Sequence, residues 1–186
     1  MTAPRGSGRR LTAEDWIEAG FAVLAEGGPN ALRVDSLCER LNVTKGSFYW
    51  HFTDMPAYRG ALVKAWGSLQ DRDRRHFEKM PDVDPRERLK AMIQTWIGPR
   101  QWQLERAMRI WALTDEAVLA SVQQSDGRVL RAIRQAFVAV GFGREEAALR
   151  AYVVFTLGVG HLHASGSAPA VPTDLQDRFL DFVLRP

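Results

Sequence analysis

Apolar residues recur along the chain at helical spacing, and no segment shows the apolar/polar alternation that is typical of a half-buried strand. Ile17, Phe21 and Leu24 follow the helical spacing in a first segment. Thr12 starts this segment as part of a capping box, and Gly27-Gly28-Pro29 ends it. The pattern therefore predicts an all-α fold that begins with an amphipathic helix.

Two short helices are predicted next, over residues 34–41 and 45–52. Asn42 can end the first of them because asparagine tolerates a left-handed backbone, and Thr44 can cap the second. The few residues between them give the spacing of a helix-turn-helix. The apolar face of the first comprises Val34, Leu37, Cys38 and Leu41.

Helical spacing continues to the C-terminus, broken by segments that contain proline or glycine. A capping box of Thr173 and Gln176 marks the start of the last helix. The first helix of this part of the chain, residues 56–76, has about twenty residues and is therefore about 30 Å long. It is long enough to connect two parts of the protein rigidly. The predicted helices cover residues 56–76, 86–97, 100–113, 115–140, 145–161 and 173–184. We expect a helix-turn-helix domain over residues 1–54 and a second helical domain over residues 55–186.

Composition and charge narrow the class of protein. The chain has 186 residues, 46% of them hydrophobic, which is ordinary for a folded, water-soluble protein. Cys38 is the single cysteine, so an intramolecular disulfide is excluded and a reducing cytoplasm is expected. A secretory signal and a membrane-spanning segment are not expected. Arg5, Arg9 and Arg10 form a basic arm that can lie on phosphates or stay solvated.

The third predicted helix carries the strongest functional signal. At 100° per residue, Phe48 and Phe52 share the side that faces the first two helices, whereas Gly46 and Trp50 point away. A large exposed aromatic side chain indicates that something covers it, and DNA is one candidate. A core helix of a bundle would have a similar composition, so periodicity leaves both interpretations open.

Residues 42–52, NVTKGSFYWHF, resemble the turn and recognition helix of the TetR family of regulators. The preceding residues 19–41 are similar to that family's first two helices. The resemblance is specific over about residues 11–62 and is one of helix number and length beyond them. It implies a transcriptional regulator, most simply a repressor, that needs no cofactor, catalytic residue or metal.

The resemblance also implies roles for single residues. Lys45, Gly46, Ser47 and Trp50 would face the major groove, and Tyr49 and His51 would hold phosphates. The chain departs from the family where helix two opens with Arg33, not a small hydroxyl residue, and where helix four opens with Met55, not lysine. Methionine cannot bind a phosphate as lysine does, and we expect Arg33 to bind one instead. The predicted DNA-binding set is Arg33, Thr44, Lys45, Gly46, Ser47, Tyr49, Trp50 and His51.

The C-terminal region is rich in bulky side chains, and the resemblance implies that a small-molecule effector binds among them. Each one is more typical of a core position when taken singly. An apolar or aromatic effector is implied, and a cation could also stack on the indoles. His161 and His163 lack the spacing for metal ligands on one helical face, so they are expected to mark a helix end. The predicted effector-binding set is Trp66, Met92, Trp96, Trp102, Met108, Trp111, Phe137 and Phe155.

Two apolar helices, residues 145–161 and 173–184, are predicted as the surface of a homodimer, because the family pairs its corresponding helices in this way. Leu175, Phe179 and Phe182 share one face of the last helix. A two-fold dimer implies a palindromic operator in double-stranded DNA.

Other classes of function have weaker support. No phosphate loop, nucleophile turn or HExxH helix supports an enzyme. A helix-turn-helix adaptor that senses nothing remains open. Arg72, Arg74 and Arg75 could face a membrane surface, but acidic residues interrupt them, which favours a solvated face.

Overall fold

The computed structural model describes residues 11–78, 83–97, 99–164 and 173–185. Every regular element in these ranges is helical, as the sequence predicted. The elements are α1 (Ala13–Gly27), a 3₁₀ turn (Pro29–Ala31), α2 (Val34–Leu41), α3 (Lys45–His51), α4 (Met55–Glu78), α5 (Pro85–Ile97), α6 (Pro99–Ala112), α7 (Glu116–Val140), α8 (Arg144–His163) and α9 (Thr173–Val183). None of the helices in the described ranges is both long and apolar enough to cross a membrane.

The ends of the first helices follow the local sequence, with two differences. The capping box is present: the Thr12 backbone N–H donates to Asp15 Oδ2 at 2.7 Å, and the Asp15 N–H donates to Thr12 Oγ1 at 3.3 Å. Asn42 ends α2 in the left-handed conformation, with φ 53° and ψ 49°. Thr44 occupies the N-cap position of α3, as predicted, but its side chain makes no capping hydrogen bond. The 3₁₀ turn was not predicted.

A first hydrophobic core joins α1, α2 and α3, together called the head here, to helices from the rest of the chain. Trp16, Leu37 and Phe48 of the head are buried in it. Met108 and Trp111 of α6 belong to the same buried cluster, and α1 packs directly on α6. The head therefore rests on α6 as well as on α4. The boundary expected near residue 54 stays a prediction.

A second core lies farther along the chain, between α5, α7, α8 and α9. Leu89, Phe137 and Leu180 are among its buried residues. Two arginines hold the C-terminal end of α9: Arg86 Nη2 donates to the Leu184 carbonyl and Arg150 Nη1 to the Val183 carbonyl, both at 2.5 Å. Cations at these carbonyls also complement the negative end of the helix dipole.

Some predictions fall outside the described part of the chain. The arm with Arg5, Arg9 and Arg10 precedes it, and the side chains of Thr173 and Gln176 are not among those described. Inside it, His163 is the last residue of α8, which confirms that this histidine pair marks a helix end.

Candidate nucleic-acid interface

The outer side of α3 has the orientation that the sequence predicts. Phe48 is completely buried, whereas Trp50 is 65% exposed and Tyr49 is 57% exposed. The seven-residue helix α3 thus has a buried face, which supports it against the rest of the head, and an exposed surface face. The alternative of a core helix is wrong for this segment.

Aromatic contacts fix the inner side of α3 to its neighbours. The Phe48 ring lies 5.4 Å from Trp16, 5.5 Å from Tyr58 and 5.6 Å from Phe52, measured between ring centroids. Edge-on ring pairs at such distances contribute about 0.5–1.5 kcal/mol beyond the burial of their surface. The phenylalanine therefore holds α3 against both α1 and α4.

The first turn of α3 is open. Gly46 is exposed, and a Cβ added there would meet only Thr44 Oγ1, at 3.7 Å. Thr44 is exposed and Ser47 is half-buried. Backbone and small side chains are thus accessible beside Trp50, which suits close approach to a groove wall.

An ion pair that the sequence did not reveal connects α2 and α3. Lys45 Nζ lies 2.6 Å from Asp35 Oδ1, and both side chains are mostly exposed. The hydrogen bond to Asp35 raises the pKa of Lys45. Exposed pairs of this kind contribute little to stability, so a phosphate can compete for the lysine.

The remaining predicted DNA contacts lie around this surface. His51 is half-buried, with its ring centroid 4.8 Å from that of Trp50 and 6.3 Å from that of Trp16. Arg33 is exposed at the N-cap of α2, where its Nε donates to the Asn30 carbonyl at 3.2 Å. Met55 is half-buried and packs on the first core.

The structure divides the predicted effector-binding residues between the two cores. Trp66, Met108 and Trp111 belong to the first. Phe137 is buried in the second, with Met92 and Phe155 packed against it. Trp102 is half-buried, with its ring 4.4 Å from that of His161, and the Trp96 side chain lies outside those described. The set is therefore not brought together as one group.

A polar cluster between α4, α6 and α7 was not predicted from the sequence. Arg109 binds Asp126 in a fork, with N–O distances of 2.9 and 2.6 Å, and binds Glu105 at 3.0 Å. Gln70 Nε2 of α4 donates to the other oxygen of Glu105 at 3.1 Å. Beside this cluster, Asp71 pairs with Arg128 at 3.0 Å. The i, i+4 spacing of Glu105 and Arg109 was the available signal.

Burial controls the protonation of the cluster's innermost carboxyl group. Glu105 is only 9% exposed, and burial raises its pKa. The charge of Asp126 adds to this rise, whereas Arg109 opposes it.

The outer face of α8 is apolar. Tyr152, Val153 and Leu157 are exposed, and a groove of about 570 Å³ runs along this helix as far as Ala164. On α9, Phe182 is 68% exposed. These are the helices that the sequence predicts to pair with a second copy.

Comparisons with known proteins agree with this architecture. Residues 17–57 match the model of the bacterial regulatory proteins of the TetR family. No curated protein matches the chain. A TetR-like transcriptional regulator from Rhodococcus sp. RHA1 is similar in structure, with a TM-score of 0.69, 16% identity, and 98% of this chain and 96% of that chain covered.

Two other solved structures share the fold at similarly low sequence identity. Escherichia coli NemR in its reduced form gives a TM-score of 0.71 at 18% identity, with 93% of this chain and 96% of NemR covered. A transcriptional regulator from Saccharomonospora viridis in complex with choline gives 0.72 at 16% identity, with 93% and 95% covered.

The match over residues 17–57 covers the helix-turn-helix, and the solved regulators share the fold along more than nine-tenths of the chain. Residues 17–57 therefore match the helix-turn-helix region of the TetR family, and the chain as a whole shares the fold of these solved regulators.

Proposed function

We propose that the protein is a repressor that binds a palindromic operator as a homodimer and leaves it when a small molecule binds the C-terminal region. The exposed face of α3 carries the proposal: Trp50 and Tyr49 are presented to solvent by a helix whose opposite side is anchored through the fully buried Phe48. An aromatic pair held outward in this way suits the major groove better than bulk water.

Each residue of this face has chemistry that DNA can use. The Trp50 indole can pack on a thymine methyl, and Lys45 can exchange Asp35 for a guanine edge or a phosphate. Tyr49 and His51 can donate to phosphate oxygens, as can Arg33 from the start of α2. Ser47 and Thr44 supply hydroxyl groups beside the exposed backbone of Gly46. Asp35 would disfavour any register that brings it against a phosphate.

The apolar faces of α8 and α9 support a homodimer. Their exposed side chains include Leu149, Tyr152, Leu157 and Phe182. A two-fold axis through these helices would present two copies of α3 to one side of DNA, with half-sites about 34–36 Å apart.

A small-molecule effector is supported by the bulky C-terminal residues and by the similar regulator from Saccharomonospora viridis, which was solved with choline. The effector would lower operator affinity to the extent that it prefers a conformation in which the two heads are wrongly spaced.

Selection of bound sequences from a random double-stranded DNA pool tests the proposed function. The full-length protein should enrich a palindrome whose half-sites are centred one helical turn apart. Enrichment of no sequence, or of a single asymmetric site, would contradict the proposal.

Sedimentation tests the dimer separately. Leu157→Asp places a charge on the α8 face and should shift the protein from dimer to monomer at micromolar concentration. Leu113→Asp is the matched control, because Leu113 is 82% exposed after the end of α6. A monomeric wild-type protein would refute the homodimer.

A further inference from the structure

An acidic side chain lies beside the surface that is proposed to meet DNA. Asp35, in the first turn of α2, pairs with Lys45, the first residue of α3, with 2.6 Å between Oδ1 and Nζ. The Asp35 side chain is 73% exposed and that of Lys45 is 62% exposed. An ion pair so open to water contributes little to stability. The stability of the fold therefore gives little reason for a carboxylate at this position.

The ion pair adjoins the exposed face of α3. Tyr49 lies one turn after Lys45, on the same side of the helix, and is exposed. Asp35 raises the pKa of Lys45 and the Tyr49 phenol adds to this rise, so the tyrosine is close to the ammonium. Gly46, which follows Lys45, is exposed and has no side chain. A groove wall that reaches Gly46 and Tyr49 therefore also meets Lys45 and the carboxylate bound to it.

A DNA phosphate gains less from this ion pair than from a lone lysine. The ammonium attracts the phosphate, but a carboxylate oxygen only 2.6 Å from it repels the phosphate to a similar degree. Separation of the two side chains does not remove the repulsion, because Asp35 stays in the first turn of α2. The pair is better suited to a partner that offers an acceptor and a donor side by side.

A G·C base pair offers this combination in the major groove. Guanine O6 is an acceptor, and the cytosine N4 amino group is a donor. A Watson–Crick N–H···O hydrogen bond joins them, so they are about 2.9 Å apart. The distance between Lys45 Nζ and Asp35 Oδ1 is 2.6 Å, which is close to this spacing. The ammonium has three donor hydrogens and can keep Asp35 while it donates to guanine.

A T·A base pair also places an acceptor beside a donor, but it suits the lysine less well. Thymine offers the ammonium only O4, next to an apolar methyl group, whereas guanine offers both O6 and N7. An A·T pair in the same orientation reverses donor and acceptor, so it would place like groups against each other. The chemistry of the pair thus favours G·C over both.

We infer that Asp35 is a specificity-determining residue, which reads one G·C pair of each half-site together with Lys45. The Lys45 ammonium donates to guanine O6 and N7, and the Asp35 carboxylate accepts from cytosine N4. This inference rests on the proposed function, which it deepens by adding a residue and a base pair to operator recognition.

Operators with one changed base pair test the inference on the full-length protein. Each G·C pair in one half-site of the selected operator is replaced in turn by A·T and by T·A. Separately, each cytosine is replaced by N4-methylcytosine, whose methyl group takes the place of the amino hydrogen that faces the major groove. At one G·C pair, both the change to A·T and the methyl group should weaken binding about tenfold, since a good two-atom base contact discriminates by about this factor. The change to T·A should weaken it less.

An alanine variant assigns the effect to the carboxylate. Asp35→Ala should bind the cytosine and N4-methylcytosine operators with equal affinity, because the acceptor is gone. It should also bind random DNA more tightly and with a steeper salt dependence, since Lys45 is then available to a phosphate. Glu39→Ala is the matched control: Glu39 is exposed one turn later on α2, and its loss changes the charge equally. This control should still distinguish the two cytosines.

A purely structural role of Asp35 would give a different result. A carboxylate in the first turn of a helix interacts favourably with the helix dipole. Loss of this interaction would lower the thermal midpoint and weaken binding to every operator to the same degree. Thermal unfolding of Asp35→Ala and Glu39→Ala without DNA measures this contribution separately.

The outcomes separate the role of Asp35 from the proposed function. If the protein selects no operator at all, the proposed function fails and the role of Asp35 fails with it. The role of Asp35 alone is overturned, while operator binding stands, by any of three results. These are wild-type binding that N4-methylcytosine weakens at no position, binding to T·A at that position as tight as to G·C, or an Asp35→Ala variant that still distinguishes the two cytosines.

Discussion

The head and the bundle of α4, α6 and α7 arrange polar and apolar groups in opposite ways. On α3 the side chains available to a partner lie outside, and a fully buried phenylalanine supports them from within. Between α4, α6 and α7 the charged side chain Glu105 is inside, bound by Arg109 of its own helix and by Gln70 from α4. Substitutions on the two sides of α3 should therefore separate stability from DNA binding, whereas a substitution at Glu105 should change stability in a way that depends on pH.

Phe48→Ala gives the largest expected effect on stability. Removal of a fully buried ring that contacts four other aromatic rings should lower the free energy of unfolding by about 3–5 kcal/mol. Trp50→Ala, on the exposed side of the same helix, should change it by less than about 0.5 kcal/mol. Urea unfolding measures both. Similar losses for the two variants would contradict the separation of α3 into a supporting and a surface face.

Gly20→Ala tests the contact between the head and α4. The Tyr58 hydroxyl donates to the Trp16 carbonyl at 2.7 Å, and a Cβ on Gly20 would lie 2.0 Å from that hydroxyl oxygen. We expect a loss of about 1–3 kcal/mol from overpacking. Gly60→Ala is the control: it meets nothing within 4 Å and should stabilise α4 by about 0.5–1 kcal/mol. An unchanged thermal midpoint for Gly20→Ala would show that Tyr58 does not fix this contact.

Glu105→Gln should have an effect on stability that depends on pH. Because burial raises the pKa of Glu105, the folded protein binds this proton more tightly than the unfolded chain does. The resulting stabilisation is complete below the ordinary carboxyl pKa and is lost as the pH rises through the raised value. Relative to Glu105→Gln, the wild type should therefore gain stability as the pH falls from neutral. Denaturation at several pH values measures this, and parallel curves would contradict it.

Local sequence predicted most of the helices and the orientation of α3, because helical periodicity and end signals act within a few residues. Asn42 in its left-handed conformation and the Thr12–Asp15 capping box are examples. Thr44 shows the limit: its position at the start of α3 was predicted, but the hydrogen bond of its side chain was not fixed by its identity.

The remainder depended on tertiary contacts that spacing does not reveal. Gln70 and Glu105 are 35 positions apart, and the Lys45–Asp35 pair bridges two helices. Residue size alone made Met108 and Phe137 candidates for one effector site, but the structure assigns them to different cores. A bulky apolar side chain indicates a buried position, but only the fold determines which buried residues are neighbours.

Operator binding by two α3 variants, measured across a salt series, tests the central claim most directly. Trp50→Ala should lose discrimination between the selected operator and random DNA while keeping its binding to random DNA. Tyr49→Phe should weaken both to a similar degree, since it removes a phosphate contact. Equal losses on operator and random DNA for Trp50→Ala, at every salt concentration, would contradict the assignment of the exposed α3 face to the major groove.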